Sequence, residues 1–583
     1  MNGKRRQIVR LAWRLARPYW ASQESRAAWG LLAAVIALNL GNVWISVRIN
    51  KWNNVFYNAL QEFNAPEFFK QLGIFCLLAG ASMAMSVYAV YLQQALQIRW
   101  RRWLTGRYLD RWLAEQNYYR LQLDRHVTDN PDQRIADDLR LFVEYVATLA
   151  LGLLTSAVSL GSFLVILVGL SGPADVPLWS LGSVHVPAYL VWAAIAYAGV
   201  GTWFTVKIGR PLVPLNFAQQ RFEADFRYAL IRLRENAESI ALYGGESPER
   251  KVFEGRFATL FANFWQIMLR QKLLNWFTYG YTQVAVIFPV LVVAPRYFAK
   301  QILLGGLMQV IDAFGNVQSS LSFIVNAYAD IAVWTAVTQR LGTFDAHMEE
   351  IAARTRAPQA IKETRGGAGI LVQDLDLELP DGTPLLHRVS FEAKPGDALL
   401  ITGPSGIGKS VLLRAMAGIW PYGRGSVRIA AGSTLFMPQR PYLPLGTLRD
   451  ALLYPAVGGH ADDELARLLD LVGLDKFAPR LGHAEDWSHR LSLGEQQRLA
   501  FARLLLARPD TIFLDEATSA LDEDVEARLY GLLRQDGRRP TLVSIGHRDS
   551  LKKLHDRVVD LAWFRVAPAT RAPSAGLHAA PEA

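Results

Sequence analysis

Cysteine is almost missing from this chain of 583 residues; Cys76 stands alone. One thiol excludes an internal disulfide framework and a multi-cysteine zinc site. Charge is sparse too: Asp, Glu, Lys and Arg make up 20% of the residues, hydrophobic types 51%, and mean hydropathy is +0.12. That balance excludes a disordered polyelectrolyte, a collagen and a coiled-coil rod, and it sits poorly with an ordinary soluble enzyme. Ser171–His185 lacks Lys and Arg entirely, although the chain holds 62 of them and a formal charge of +10. Such an excess serves either nucleic acid or an anionic membrane surface, and the placement of the cations decides which.

The apolar residues concentrate in stretches of about 20, the length that crosses a bilayer. Six are found: Ala27–Val47, Leu72–Leu96, Val146–Leu170, Val186–Val206, Trp276–Val293 and Leu307–Val333. The sixth has loose limits because it carries Asp312 and Asp330. Arginine and lysine crowd the N-terminus, the segment after the second stretch (Arg99, Arg101, Arg102, Arg107, Arg111) and the segment after the fourth. The positive-inside rule therefore places both termini in the cytoplasm. Topology accounts for the net charge, so nucleic-acid binding is set aside. Residues 1–26 read as an amphipathic helix in the inner interface, through Leu11, Trp13, Leu15 and Trp20, or as a solvated basic arm. Asn39, Asn42, Asn53, Asn54, Asn316, Gln318 and Asn326 place polar groups in or beside spans, either toward a cavity or as bonds between helices. Asp312 and Asp330 face an interior, or lie just outside the hydrocarbon.

Residues 27–350 are thus expected to form a six-helix α transmembrane domain with cytoplasmic extensions. A polar linker is expected over 351–369, an α/β domain over 370–566, and a disordered Ala/Pro-rich tail over 567–583. The strand Ala398–Thr402 runs into Gly403, Pro404, Ser405, Gly406, Ile407, Gly408, Lys409 and Ser410, and a helix follows from Val411. This is the Walker A pattern of a P-loop, in which backbone N–H groups at a helix N-terminus cradle phosphates. Lys409 reaches the β- and γ-phosphates, and the Ser410 hydroxyl binds Mg²⁺. Thr511–Glu516 reads as a buried strand that ends in two carboxylates. Asp515 serves the Mg²⁺ shell and Glu516 polarises the attacking water.

Between these motifs lies Leu491-Ser492-Leu493-Gly494-Glu495-Gln496-Gln497-Arg498, which resembles the signature of ABC-transporter ATPases. Gln439, 30 residues after Lys409, resembles the Q-loop glutamine; Ser519–Asp522 resembles the D-loop, and His547 the switch histidine. The resemblance implies an exporter-like fold, ATP and Mg²⁺ as ligands, Gln439 near the metal, and a catalytic role for His547 beside Glu516. Because the chain has one Walker A and one signature, it also implies a homodimer in which Ser492, Leu493, Gly494 and Glu495 face nucleotide held by the other subunit. Leu493 and Glu495 replace the common Gly and Gln. No aromatic occupies Glu378–Gly382, where the family often stacks one on adenine, so discrimination between ATP and GTP is expected to be loose.

Lys51–Leu60, Arg99–Trp103, Asn117–Tyr119, Asp129–Ile135 and Arg234–Tyr243 are similar to patterns of the fused BacA/SbmA-like bacterial transporters, relatives of the peroxisomal fatty-acyl transporters. The last two fall where coupling helices are expected. This resemblance implies ATP-driven import of bulky hydrophilic solutes, antimicrobial peptides or cobalamin, across a bacterial inner membrane. An exporter or fatty-acyl transporter on the same fold, and a membrane-anchored regulatory ATPase, are the alternatives.

Overall fold

The computed structural model describes residues 2–123, 130–171, 174–178, 182–186, 188–356, 360–456, 458–535, 537 and 539–565. The expected tail, 567–583, and Asp129 lie outside them. The chain forms two compact units, residues 1–111 with 129–346, and residues 112–128 with 347–583.

The first unit is helical because its sequence offers long apolar runs with few breakers. Helix α1 (Asn2–Trp20) buries Ala12, Leu15, Ala16 and Tyr19. It is followed by α2 (Ser25–Gln61) and α3 (Ala65–Leu113). The second unit's α4 (Asn117–Leu123) comes next, then α5 (Pro131–Gln133) and α6 (Leu139–Ser171). The stretch without Lys or Arg contains a hairpin of β1 (Ala174–Leu178) and β2 (Gly182–Val186). After it come α7 (Tyr189–Gly209), α8 (Leu212–Glu235), α9 (Ala237–Tyr243), α10 (Glu246–Phe298), α11 (Leu304–Asn326) and α12 (Tyr328–Arg356). Among the described residues six helical stretches are long and apolar enough to cross a membrane, and each expected span falls on one of them.

Polar residues along these helices bond to one another. Asn50 Nδ2 donates to Asp312 Oδ2 (2.6 Å) and to the Gln309 carbonyl (3.0 Å), and Asn54 Nδ2 donates to Gln309 Oε1 (2.9 Å). Asn42 Nδ2 donates to Ser86 Oγ at 3.2 Å. For Asn42 and Asn54 the interhelical reading therefore holds, and Asp312 faces α2 through Asn50. Helices α2 and α11 can approach this closely because residue 305 is glycine; a Cβ there would lie 1.9 Å from the Asn54 carbonyl oxygen.

A second polar knot lies where α6 begins. Asp138, 1% exposed, accepts from Arg134 Nη1 (2.5 Å) and from Arg340 Nε and Nη2 (2.9 and 2.7 Å). Two guanidinium groups offset the cost of burying that carboxylate.

In the second unit, two sheets form. The larger has the order β13-β6-β12-β11-β8: β6 (Ala398–Thr402), β8 (Thr434–Met437), β11 (Thr511–Asp515), β12 (Thr541–Ile545) and β13 (Arg557–Asp560), all parallel. Its central strands are near-continuous apolar runs, as parallel strands covered on both faces require. The smaller sheet has the order β3-β7-β4-β5, with β3 (Ile361–Arg365), β4 (Ile370–Glu378), β5 (Pro384–Ala393) and β7 (Gly423–Ile429). Two-residue strands β9 (Gly446–Thr447) and β10 (Ala484–Glu485) pair by themselves. The unit's helices include α13 (Lys409–Met416), α14 (Leu448–Leu453), α15 (Asp462–Leu471), α16 (Trp487–Arg490) and α17 (Leu493–Ala507).

One expectation is corrected here. The linker over 351–369 is largely structured: Ile351–Arg356 completes α12, and Ile361–Arg365 is a strand paired in parallel with Gly425–Ile429. Burial of Ile361 against the domain's apolar core fixes it. Pro131–Ile135, in the expected coupling region, belongs to the helical unit, and α4 belongs to the second unit. Leu121 is buried, Leu123 packs on the core of the second unit, and Arg120 Nη1 donates to Thr355 Oγ1 at 2.7 Å. Arg234–Tyr243, the other expected coupling segment, spans the end of α8 and α9 and leaves Leu242 and Tyr243 80% and 89% exposed.

Replacing Asp138 with Ala strands the buried Arg134 cation, a loss of roughly 3–5 kcal/mol for a broken buried pair. The purified variant should melt several degrees below wild type; an unchanged melting curve would show that the knot carries no stability.

Candidate ATP-hydrolysis site

The site is assembled at one edge of the larger sheet. Strand β6, fully buried over Ala398–Ile401, releases the chain into Gly403–Gly408, and α13 starts at Lys409. Gly406 and Gly408 have φ of +78° and +111°, backbone that residues with a Cβ avoid, and the sharp turn needs both. Pro404, Ser405 and Gly406 are exposed, Ile407 is anchored in the core at 7% exposure, and Ser410 and Val411 begin the helix half-buried. Lys409 Nζ folds over its own loop and donates to the carbonyls of Gly403 (2.9 Å) and Pro404 (3.2 Å). Such a loop presents backbone N–H groups and an ammonium to an anion.

Strand β11 delivers both carboxylates beside this loop. Ser410 Oγ donates to Asp515 Oδ1 at 3.3 Å. Burial pushes the Asp515 carboxyl above its usual range, and the neighbouring Glu516 adds to this; Ser410 works in the opposite direction. Glu516 takes a left-handed backbone, φ +45°, while its N–H donates to the Ile545 carbonyl at 2.9 Å. For a residue with a Cβ that conformation costs about 1–2 kcal/mol, and such strain concentrates at functional sites. The Glu516 carboxylate accepts from Gln439 Nε2 at 2.8 Å, and His547 Nδ1 lies 3.6 Å from its other oxygen. Lys409, Ser410, Gln439, Asp515, Glu516 and His547 are therefore brought to one place.

The signature stands apart from that cluster at the start of α17. Ser492 is the helix N-cap; its Oγ accepts from the Glu495 N–H (3.3 Å), and Glu495 Oε2 accepts from the Ser492 N–H (2.9 Å). Glutamate at this position thus closes a capping box that satisfies two helix-end donors. Burial disfavours the Glu495 charge, but hydrogen bonds from Lys476, 2.7 Å away, and Ser492 outweigh it and hold the carboxyl low. Leu493 is half-buried in the first turn. Gly494 lies against the D-loop, where a Cβ would be 3.0 Å from the Ala520 carbonyl oxygen.

Two positioning residues were given no role in the sequence reading, Gln497 although it stands in the signature segment and Arg548 although it follows His547. Gln497, fully buried, donates to the Gln439 carbonyl (3.3 Å) and Ser519 Oγ (3.1 Å), and accepts from the Ala520 N–H (3.0 Å). Arg548 donates to the carbonyls of Leu521 and Ser519, both at 2.6 Å. Each directly adjoins a recognised motif residue, which is the signal that could have found it.

Residues 15–298 match the family ABC transporter transmembrane region 2, and residues 386–519 match the ABC transporter family. The chain is 36% identical to ABC transporter D family member 2, chloroplastic, of Arabidopsis thaliana, across 94% of this chain and 85% of that protein. This chain is an ABC transporter. It is 29% identical to the human lysosomal cobalamin transporter ABCD4, across 93% of this chain and 92% of that one. Among solved structures, a bacterial Atm1-family ABC exporter with ATP bound superposes with a TM-score of 0.69 at 20% identity, covering 91% of this chain and 93% of that one. That likeness is one of fold: a membrane-embedded helical region followed by the ATPase. The transporter is accordingly a multi-pass half-transporter whose cytoplasmic ATPase couples ATP hydrolysis to transport.

Lys409→Ala removes a charged phosphate contact worth about 1.5–3 kcal/mol, so ATP affinity should fall about tenfold to a hundredfold in a nucleotide-binding titration. Unchanged affinity would mean that the loop does not hold the phosphates. The turn between β4 and β5 offers only Leu379 and Pro380 to a base. One missing aromatic stack is worth about 0.5–1.5 kcal/mol, so kcat/KM for GTP should lie within about tenfold of that for ATP; a hundredfold preference for ATP would show that another group reads adenine.

Proposed function

We propose that the transporter works as a homodimer in a bacterial inner membrane, both termini cytoplasmic, and imports bulky hydrophilic solutes such as antimicrobial peptides or cobalamin. The observation that carries the ATP-driven part is the convergence of Gln439 and His547 on Glu516 beside the phosphate loop. The cargo class rests on the likeness to a cobalamin transporter and on the resemblance of several segments to patterns of the BacA/SbmA-like group. The cation-free outer stretch and the basic segments after the second and fourth spans support the orientation.

In this reading the backbone of Gly403–Val411 and the Lys409 ammonium hold the triphosphate. Ser410, Asp515 and Gln439 supply hard oxygen donors of the type Mg²⁺ takes, and a carboxyl whose charge is disfavoured by burial gains from a cation. When bound, the ion neutralises charge on the β- and γ-oxygens. Glu516 orients and polarises the attacking water, with Gln439 holding one carboxylate oxygen and His547 poised at the other. Ser492, Leu493, Gly494 and Glu495 close the site of the partner subunit. Nucleotide binds the closed dimer better than the open one, so ATP shifts the population to closure and hydrolysis releases it.

Glu516→Gln should lower ATP turnover by on the order of 10²–10⁴-fold while ATP stays bound in a dimer; wild-type turnover would assign the base elsewhere. Ser492→Ala in one subunit of a mixed dimer should impair the site on its partner, and a defect confined to its own site would overturn the shared arrangement. Cells carrying the protein should take up labelled cobalamin, bleomycin or a proline-rich peptide, and lose that uptake with Glu516→Gln. Efflux, or transport of fatty-acyl compounds alone, would reverse the import reading.

A further inference from the structure

Glu516 and His547 stand just beyond the ends of neighbouring strands, β11 and β12, on separate loops. The His547 side chain is 64% exposed, so packing around the ring does not fix it. Whatever holds it 3.6 Å from the Glu516 carboxylate acts through the loops.

A buried carboxylate joins them. Helix α18 (Glu523–Leu533) follows the D-loop, and its Glu526 is fully buried. Glu526 Oε1 accepts from Thr518 Oγ1, two residues beyond Glu516. Glu526 Oε2 accepts from Ser550 Oγ at 2.6 Å, three residues beyond His547. Each oxygen of one carboxylate thus holds a different loop. The helix that carries it is fixed in turn. Tyr530, one turn on, donates to Ser544 Oγ of β12 at 3.0 Å, and His555 Nε2 lies 2.7 Å from the same hydroxyl.

This arrangement is costly. A carboxylate buried without a cation disfavours the fold unless its oxygens are bonded. Among the described residues Glu526 bonds to two hydroxyls and forms no ion pair. Its seat in the first turn of α18, where the helix end favours negative charge, offsets part of that cost. An apolar side chain would fill the same space more cheaply if stability were the only requirement. What the carboxylate adds is a pair of charge-assisted hydrogen bonds, roughly twice as strong as neutral ones, to two loops at once.

We infer that Glu526 is a positioning residue for ATP hydrolysis: it ties the loop bearing Glu516 to the loop bearing His547 and holds the two side chains opposed. This rests on the roles proposed above for those two residues. Arg548, bonded to the Ser519 and Leu521 carbonyls, links the same loops directly. Glu526 differs in gripping both from a third element, so that the two loops are referenced to one rigid helix. Misplacing a reacting group by about 1 Å can cost on the order of 10²-fold in rate.

The test is steady-state ATP hydrolysis by the full-length transporter in lipid nanodiscs. Glu526→Ala should lower kcat about tenfold or more while KM for ATP stays within about twofold, because the phosphate loop is untouched. In a His547→Ala background the same substitution should cost less than about twofold, since the group it positions is gone. Losses that multiply instead would reveal a general structural role and overturn the inference, as would a change confined to KM. Should Glu526→Ala fail to fold, Thr518→Val and Ser550→Ala each remove one hydroxyl from the same carboxylate and carry the same test; Thr518→Ser should keep wild-type kcat. Glu516→Gln is the control. Full turnover by that variant would overturn the choice of base, whereas full turnover by Glu526→Ala beside an inactive Glu516→Gln would overturn the Glu526 assignment alone.

Discussion

One register governs the nucleotide end of this transporter. Strand β11 pairs in parallel with β12 and β8, and β12 with β6, so that Asp515 lies beside Ile545, Ile545 beside Ile401, and Leu514 beside Met437. Parallel strands in register finish at the same edge. The phosphate loop after β6, the carboxylates that close β11, Gln439 after β8 and His547 after β12 therefore emerge side by side, although they are spread over more than a hundred residues. A slip of one residue would turn every side chain of a strand to the opposite face.

Much of this was legible in the sequence, for definite reasons. The six spans could be read because a bilayer demands a length, and an uncharged run of that length has few other uses. The phosphate loop could be read because glycine, lysine and serine each answer a separate geometric or electrostatic need there. In the sequence Glu495 was only a departure from the common Gln; the structure shows a capping box with Ser492 and a lysine partner, relations three and nineteen residues away that a motif comparison ignores.

Other features left no such trace. Strand β3 buries one residue, Ile361, and exposes the other four, so its composition is that of a linker. Helix α4 has seven residues, too few for a hydrophobic period to stand out, and its place in the second unit comes from Leu121, Leu123 and the bond from Arg120 to Thr355. The polar residues of the spans were ambiguous because an amide between two helices and an amide toward a water-filled chamber have the same one-letter code. Only the contacts of Asn42, Asn50, Asn54 and Gln309 distinguish them.

Helix α3 has 49 residues without an internal break, about 74 Å of rise, against a hydrocarbon thickness of about 30 Å. The span Leu72–Leu96 leaves Gln97–Leu113 beyond it as an arm of about 25 Å. A tilt of about 5° about the membrane edge displaces its far tip by roughly 2 Å over that length. Between the tip and α4 stand only Ala114, Glu115 and Gln116, the last two in left-handed backbone. So short and tightly wound a connection leaves the chain between these two helices little slack.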